Sequence, residues 1–215
     1  MKASDFSTNY LTQWIEDNPQ SICHDVNEIQ MDIESDEFYN YIEDNWLSEK
    51  HGFNITSHFS SFVNRQKTED ESQLRFEKSV LFRKFMLDMG YTHESTKQHE
   101  FEQKGDCDLY RLLGADNFSK LNLNLTSCVF RILINMPGTF LPIHYDYVGI
   151  NKSQRRYSIM IAPYSIGHFL FVGHKMLYNW KAGTCYDIRF PHLHGSGNCG
   201  ILPKISLTVT GDVNA

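Results

Sequence analysis

Apolar side chains along this chain follow two different rhythms, one up to about residue 120 and another from about residue 127. In the first part they recur at helical spacing. Phe38, Tyr41, Ile42 and Trp46 fall on one side of a helix over 37–47. Thr68-Glu69-Asp70-Glu71 reads as a capping box, in which hydroxyl and carboxylate satisfy early backbone N–H groups. Leu74, Val80, Leu81, Phe85 and Met89 carry that helix on to a stop at Gly90. Residues 1–35 are polar and mixed and show no clear period.

In the second part, short runs rich in Val, Ile, Phe, Tyr and Leu alternate with turn residues. They predict strands near 128–135, 140–145, 156–162, 168–172, 175–180, 184–190, 192–195 and 204–210. Pro137-Gly138, Pro163, Gly173 and Ala182-Gly183 punctuate them, and the run from Gly195 to Gly200 reads as a flexible loop. Short strands in such number, without helical crossovers, predict a double-sheet antiparallel jelly roll. The expected fold class is α+β. A mainly helical segment over 1–120 packs on a double-stranded β-helix (cupin-like) core over 121–215, as one structural domain.

Composition fits this picture. The chain has 215 residues, 41% apolar and 21% charged, which suits one globular domain and excludes a disordered or collagen-like chain. No apolar run approaches the roughly 18 residues of a membrane span, and no secretory leader follows Met1, so a cytoplasmic protein is expected. Cys23, Cys107, Cys128, Cys185 and Cys199 are odd in number and form no CxxC pair, consistent with a reducing compartment. Residues 1–50 hold 12 acidic and two basic residues. That surface speaks against a nucleic-acid partner, because phosphate binding needs concentrated Lys and Arg.

Candidate chemistry lies at the end of the second strand. In His144-Tyr145-Asp146, residues i and i+2 share a face, so His144 and Asp146 can address one ion. His192 and His194 are the candidates for a third ligand. Two histidines and one carboxylate make the facial triad of non-haem Fe(II) enzymes. Ten positions after His194 stands Lys204, with Ser206 on the same strand face. An ammonium and a hydroxyl there could receive the far end of a dicarboxylate bound to the metal. Arg156 and Ser158 share a face on the strand after the HxD loop and are further candidate contacts. Arg131 reads as a solvent-facing charge, Trp180 as a core aromatic and Asn198 as a turn residue. His168 and His174 flank a hairpin at Gly173 and do not fit the ligand spacing.

Four stretches taken together resemble the 2-oxoglutarate-dependent Fe(II) oxygenases. They are Met136 to Asp146 (MPGTFLPIHYD), Trp180 to Asp187 (WKAGTCYD), His194 to Asn198 (HGSGN) and Pro203 to Ser206 (PKIS). The first two look most like the aspartyl/asparaginyl β-hydroxylase and proline-hydroxylase branches, the third like the phytanoyl-hydroxylase branch. The resemblance implies His144, Asp146 and His194 as iron ligands, and Lys204 with Ser206 as anchor of the far carboxylate. It implies Fe(II), 2-oxoglutarate as cosubstrate, and O2, with release of succinate and CO2. It also implies hydroxylation of an unactivated C–H bond, in an amino acid or a protein side chain. Two departures matter. The anchor is lysine where many members have arginine, and Asp146 is present where the β-hydroxylase branch often lacks the carboxylate. Two other classes stand beside this reading: a cupin-like metal-dependent hydrolase or isomerase using His144, His192 and His194, and a non-enzymatic jelly-roll binding module.

Overall fold

The structure is a computed structural model that describes residues 25–46, 90–144, 154–188 and 192–214, and the backbone of 54–57. The helix predicted over 68–89 with its capping box, together with Cys23, Asp146 and the loop after it, lies outside these residues. Eleven strands and three α-helices are described. In chain order they are β1 (Glu28–Gln30), α1 (Ser35–Trp46), β2 (Asn54–Ser57), β3 (Lys97–Lys104), α2 (Asp108–Leu113) and α3 (Ala115–Ser119). Then follow β4 (Val129–Asn135), β5 (Thr139–His144), β6 (Gln154–Met160), β7 (His168–Val172), β8 (Lys175–Leu177), β9 (Thr184–Asp187), β10 (His194–Asn198) and β11 (Lys204–Asp212).

The strands form a seven-stranded sheet, β1-β9-β6-β11-β4-β3-β2, and a four-stranded sheet, β5-β10-β7-β8. Every pairing is antiparallel. From β4 onward the chain passes back and forth between the two sheets, and only the tight β7–β8 hairpin stays within one. That winding is the double-stranded β-helix expected from the sequence; seven of the eight strands predicted for the core overlap their expected places, and the one expected at 192–195 is displaced to His194–Asn198. Three further strands, β1, β2 and β3, lie in the span expected to be mainly helical. Their sequences, EIQ, NITS and KQHEFEQK, hold few apolar residues. Pairing to an existing sheet edge, not side-chain pattern, makes them strands.

The two faces of the large sheet differ in chemistry. Phe130, Ile132 and Ile134 of β4 share the outer core with Tyr157 and Ile159 of β6, and with Leu207 and Val209 of β11. Phe38 and Ile42 of α1, Leu109 and Leu113 of α2, and Phe118 of α3 cover them. Acidic Asp36 and Glu37 in the first turn suit the positive end of α1, and the Ser35 hydroxyl donates to Ile161 O at 2.8 Å, fixing the helix to the end of β6. Alternate residues point the other way, towards the small sheet. Met160 of β6 and Tyr186 of β9 meet Leu170 and Val172 of β7 there, with Trp180 and Ile188. Among the described residues no helix is long and apolar enough to cross a membrane.

Candidate metal and carboxylate site

Register assigns the candidate residues to faces. Ser206 pairs with Met160 on one side and with Leu133 on the other, so β11 turns Lys204, Ser206 and Thr208 towards the small sheet. The same argument turns Arg156 and Ser158 of β6 inward, beside Met160. Arg131 of β4 shares the inward parity but sits near the sheet's edge. Its guanidinium pairs with Glu100 at 3.1 Å and Glu102 at 2.7 Å, so the solvent-facing charge expected there is an ion-paired one.

On the small sheet, His194 of β10 stands directly opposite His144 of β5, and the ring centroids are 4.3 Å apart. Simple alternation along β5 does not produce this. The register shifts between His194 and Ser196, which pairs with Leu141, so two residues of β5, Pro142 and Ile143, oppose Gly195 alone. This bulge brings His144 onto the face of His194. Gly195 makes room for it: a Cβ there would lie 2.9 Å from Leu141 O and 3.0 Å from Ile143 N.

Both rings are held by the same device. His144 Nδ1 bonds Pro142 O at 2.8 Å and His194 Nδ1 bonds His192 O at 3.1 Å, each two residues back along the chain. With Nδ1 on a carbonyl, Nε2 is the nitrogen by which either ring could coordinate an ion. Both histidines are buried. Paired imidazoles suit a divalent transition metal. The structure therefore brings His144 and His194 together. His192, the other candidate, stands just before β10 and contributes its carbonyl to the His194 ring. The third expected ligand, Asp146, lies outside the described residues, and among those described no three His, Cys, Asp or Glu side chains converge.

The strand expected at 192–195 and the flexible loop expected at 195–200 are both corrected. β10 runs from His194 to Asn198, and all five residues are buried. Its glycines sit under cover: a Cβ on Gly197 would meet the Phe169 and Phe140 rings at 2.4 and 2.7 Å.

Lys204 opens β11 and is 3% exposed. Its ammonium reaches Asn135 Oδ1 at 3.4 Å. Burial pushes its pKa down to about 8. Ser206 and Ser158 are buried on the same inner face. At that end of the barrel His168 is buried too, and its Nε2 bonds Leu202 O at 2.8 Å. Burial and, to a smaller degree, the Lys204 charge hold its pKa below the usual histidine value, against the bond to Leu202. The burial of His168 beside Lys204 leaves no signal in the sequence. Trp180 is the core aromatic expected, and its Nε1 donates to Ala162 O at 3.2 Å.

No protein-family model matches the chain, and no curated protein matches it. Solved structures do. A Klebsiella pneumoniae protein with a double-stranded β-helix domain, itself uncharacterised, is 21% identical, with 41% of this chain and 70% of that chain covered and a TM-score of 0.31. Oxalate decarboxylase from Bacillus subtilis is 16% identical, with 55% of this chain covered and a TM-score of 0.36; the match spans only 26% of the decarboxylase. A putative sugar phosphate isomerase from Acidithiobacillus ferrooxidans is 10% identical, with 52% and 58% covered and a TM-score of 0.33. The strand order of the chain itself makes it a double-stranded β-helix.

Proposed function

We propose that this chain is a metal-dependent enzyme built on a double-stranded β-helix, and that it is an Fe(II)- and 2-oxoglutarate-dependent oxygenase. One observation carries the finer reading: an ammonium, Lys204, is buried on the inner face of the large sheet, opposite a sheet whose inner face presents a histidine pair. A buried cation is costly unless an anion compensates it. A keto acid chelated near the histidines, with its far carboxylate on Lys204, would supply that anion. The substrate would be an amino acid or a protein side chain hydroxylated at an unactivated C–H bond.

Bound iron and 2-oxoglutarate supply the oxidising chemistry, with succinate and CO2 released. The chain's own residues bind, orient and exclude water. His144 and His194 would hold the ion, each fixed by a carbonyl behind it, and Asp146 is the third ligand that the resemblance implies. Lys204 would anchor the carboxylate as a point charge, with the Ser206 hydroxyl beside it. Arg156 and Ser158 line the same interior. The apolar group of Leu170, Val172, Tyr186 and Ile188 keeps the interior dry, which strengthens the attraction between ammonium and carboxylate.

A second reading keeps the histidine pair and drops the keto acid: a cupin-like lyase, hydrolase or isomerase. Two of the similar structures, a decarboxylase and a putative isomerase, belong with this class and not with the oxygenase. Anaerobic titration of Fe(II) into the chain with 2-oxoglutarate separates the two readings. The oxygenase is expected to show the visible charge-transfer band of the chelate, lost in His144→Ala, and to need far more 2-oxoglutarate in Lys204→Met. Metal binding without that band, and without 2-oxoglutarate decarboxylation in air, favours the second reading. No metal-dependent stabilisation at all would point to a binding module.

A further inference from the structure

The end of the barrel where β4 ends and β11 begins holds a buried hydrogen-bonded chain around Lys204, of which the oxygenase reading uses only the lysine and Ser206 beside it. Asn135 Oδ1 accepts from Lys204 Nζ, and Asn135 O accepts from Asn198 Nδ2 at 2.9 Å. The same Nδ2 donates to Leu202 O at 2.8 Å, and Asn198 Oδ1 accepts from Gly200 N at 2.9 Å. Leu202 O also takes the His168 Nε2 bond. Asn198 is wholly buried and Asn135 nearly so. One asparagine thus ties three pieces together: the strand of His194, the end of β4, and the 199–203 connection that delivers Lys204.

The chemistry of this collar is its informative feature. Among the described residues Lys204 makes no ion pair, and every hydrogen-bonding side chain around it is neutral. β4 presents Asn135, β10 presents Asn198, and β11 itself adds Ser206. β7 presents His168, a titratable group whose pKa the Lys204 charge lowers, with Tyr164 beyond it at 6.4 Å between ring centroids. His168 Nδ1 is a second polar atom here, buried and without a hydrogen-bond partner among the described residues. A carboxylate in the place of Asn135 would fill almost the same volume and would neutralise the lysine. The amide instead supplies a weak acceptor at 3.4 Å that positions the ammonium and leaves its charge uncompensated.

We propose that Asn135, braced by Asn198, is a positioning residue that holds Lys204 as an uncompensated cation, so that this end of the barrel receives one carboxylate group of a ligand. This rests on the oxygenase reading for the identity of that ligand, 2-oxoglutarate. The neutral collar is what distinguishes a receptor from a structural salt bridge.

The test uses the full chain loaded with redox-inert Mn(II), titrated calorimetrically with 2-oxoglutarate between pH 6.5 and 9.5. Wild type is expected to bind, and to lose affinity above about pH 8 as the ammonium loses its proton. N135D keeps the shape and adds a counter-ion. It should bind at least about 10-fold more weakly at pH 7, with its alkaline fall-off moved up by about one pH unit or more, because the aspartate holds the lysine proton. N198A, which removes the brace, should weaken 2-oxoglutarate binding in the same direction as N135D. H168Q, which keeps a donor for Leu202 O, should bind as wild type does. A readout without ligand comes from the Lys204 titration followed by carbon NMR in wild type and N135D. If the midpoint and the 2-oxoglutarate affinity are the same in both, the positioning role is overturned, whatever the enzyme does. If wild type fails to bind 2-oxoglutarate while the N135D midpoint still rises, the oxygenase reading falls and the assignment of its carboxylate to this end falls with it.

Discussion

At the scale of single residues, Lys204 sets a conflict between stability and function. Its pKa lies at about 8 in the folded chain against 10.5 for a free lysine, and burial is the cause. Between those values the unfolded chain binds a proton that the folded chain does not, so this group makes stability rise as pH climbs from about 8 to 10.5. Below pH 8 its cost is constant, on the order of 3 kcal/mol. Replacing it by a group of similar length and no charge removes that cost. Lys204→Met should therefore raise the unfolding free energy at pH 7 by up to about 3 kcal/mol and Tm by several degrees, while greatly weakening carboxylate binding. Urea denaturation at pH 7 and pH 9.5 checks it: the gain should shrink at the higher pH. A variant less stable than wild type at pH 7 would show that the ammonium is already compensated.

At the scale of elements, the close approaches between connections decide where the ends of strands go. Gly167, just before β7, has φ +96°, and a Cβ there would lie 2.3 Å from Gly200 N in the connection before β11. No side chain can move aside, because the obstacle is backbone. Gly138 has a similar φ of +82° with nothing within 4 Å. Gly138→Ala should cost only the backbone term, about 1 kcal/mol. Gly167→Ala must in addition part the two connections, and should cost about 2 kcal/mol or more, with Tm lowered by roughly 5 °C or more. Thermal melts of the two variants side by side check the contrast; equal losses would mean the two connections are not in contact. The same comparison of elements shows what the sequence could reveal. β4, β7 and β11 were legible because β-branched and aromatic residues alternate through them, and α1 because Phe38 and Ile42 repeat at helical spacing. β10 was not: HGSGN has no apolar side chain, and only its pairing with β5 and β7 makes it a strand. The His144–His194 encounter was half legible. The residue types were, but period-2 alternation cannot foresee a bulge at Pro142-Ile143. The collar at Asn135 was invisible, because an asparagine at a strand end reads as a turn residue until the strand beside it is known.

At the scale of the whole molecule, one sheet serves two purposes on its two faces. The outer face is apolar and sealed by helices; the inner face carries hydroxyls, amides, the Lys204 ammonium and the Arg156 guanidinium. Cooperative stability should then come from the outer face, and its thiols can report on it. Cys128 and Cys185 both lie in the outer core, and burial pushes each thiol up to about 12. Neither holds appreciable thiolate at neutral pH, so neither should react while the sheet is closed. Cys199 is exposed, and Cys107 is partly so with its pKa also raised by burial. In a Cys23→Ser background, a small aromatic disulfide reagent should modify Cys199 at once and Cys107 slowly. Cys128 and Cys185 should follow together, at the rate set by global opening. Mass spectrometry of quenched samples separates the four. If Cys185 were modified well before Cys128, the β1–β9 edge would be opening on its own, and the large sheet would not be one cooperative unit. The inner face enters through linkage. A ligand that binds only the closed sheet lowers the open population by the factor 1 + [L]/Kd, so Mn(II) and 2-oxoglutarate at about 100 times Kd should slow labelling of Cys128 and Cys185 on the order of 100-fold. Lys204→Met should label more slowly than wild type without ligand and gain little from 2-oxoglutarate. Protection by the keto acid that survives undiminished in Lys204→Met would mean that the anion binds elsewhere than at the Lys204 end of the barrel.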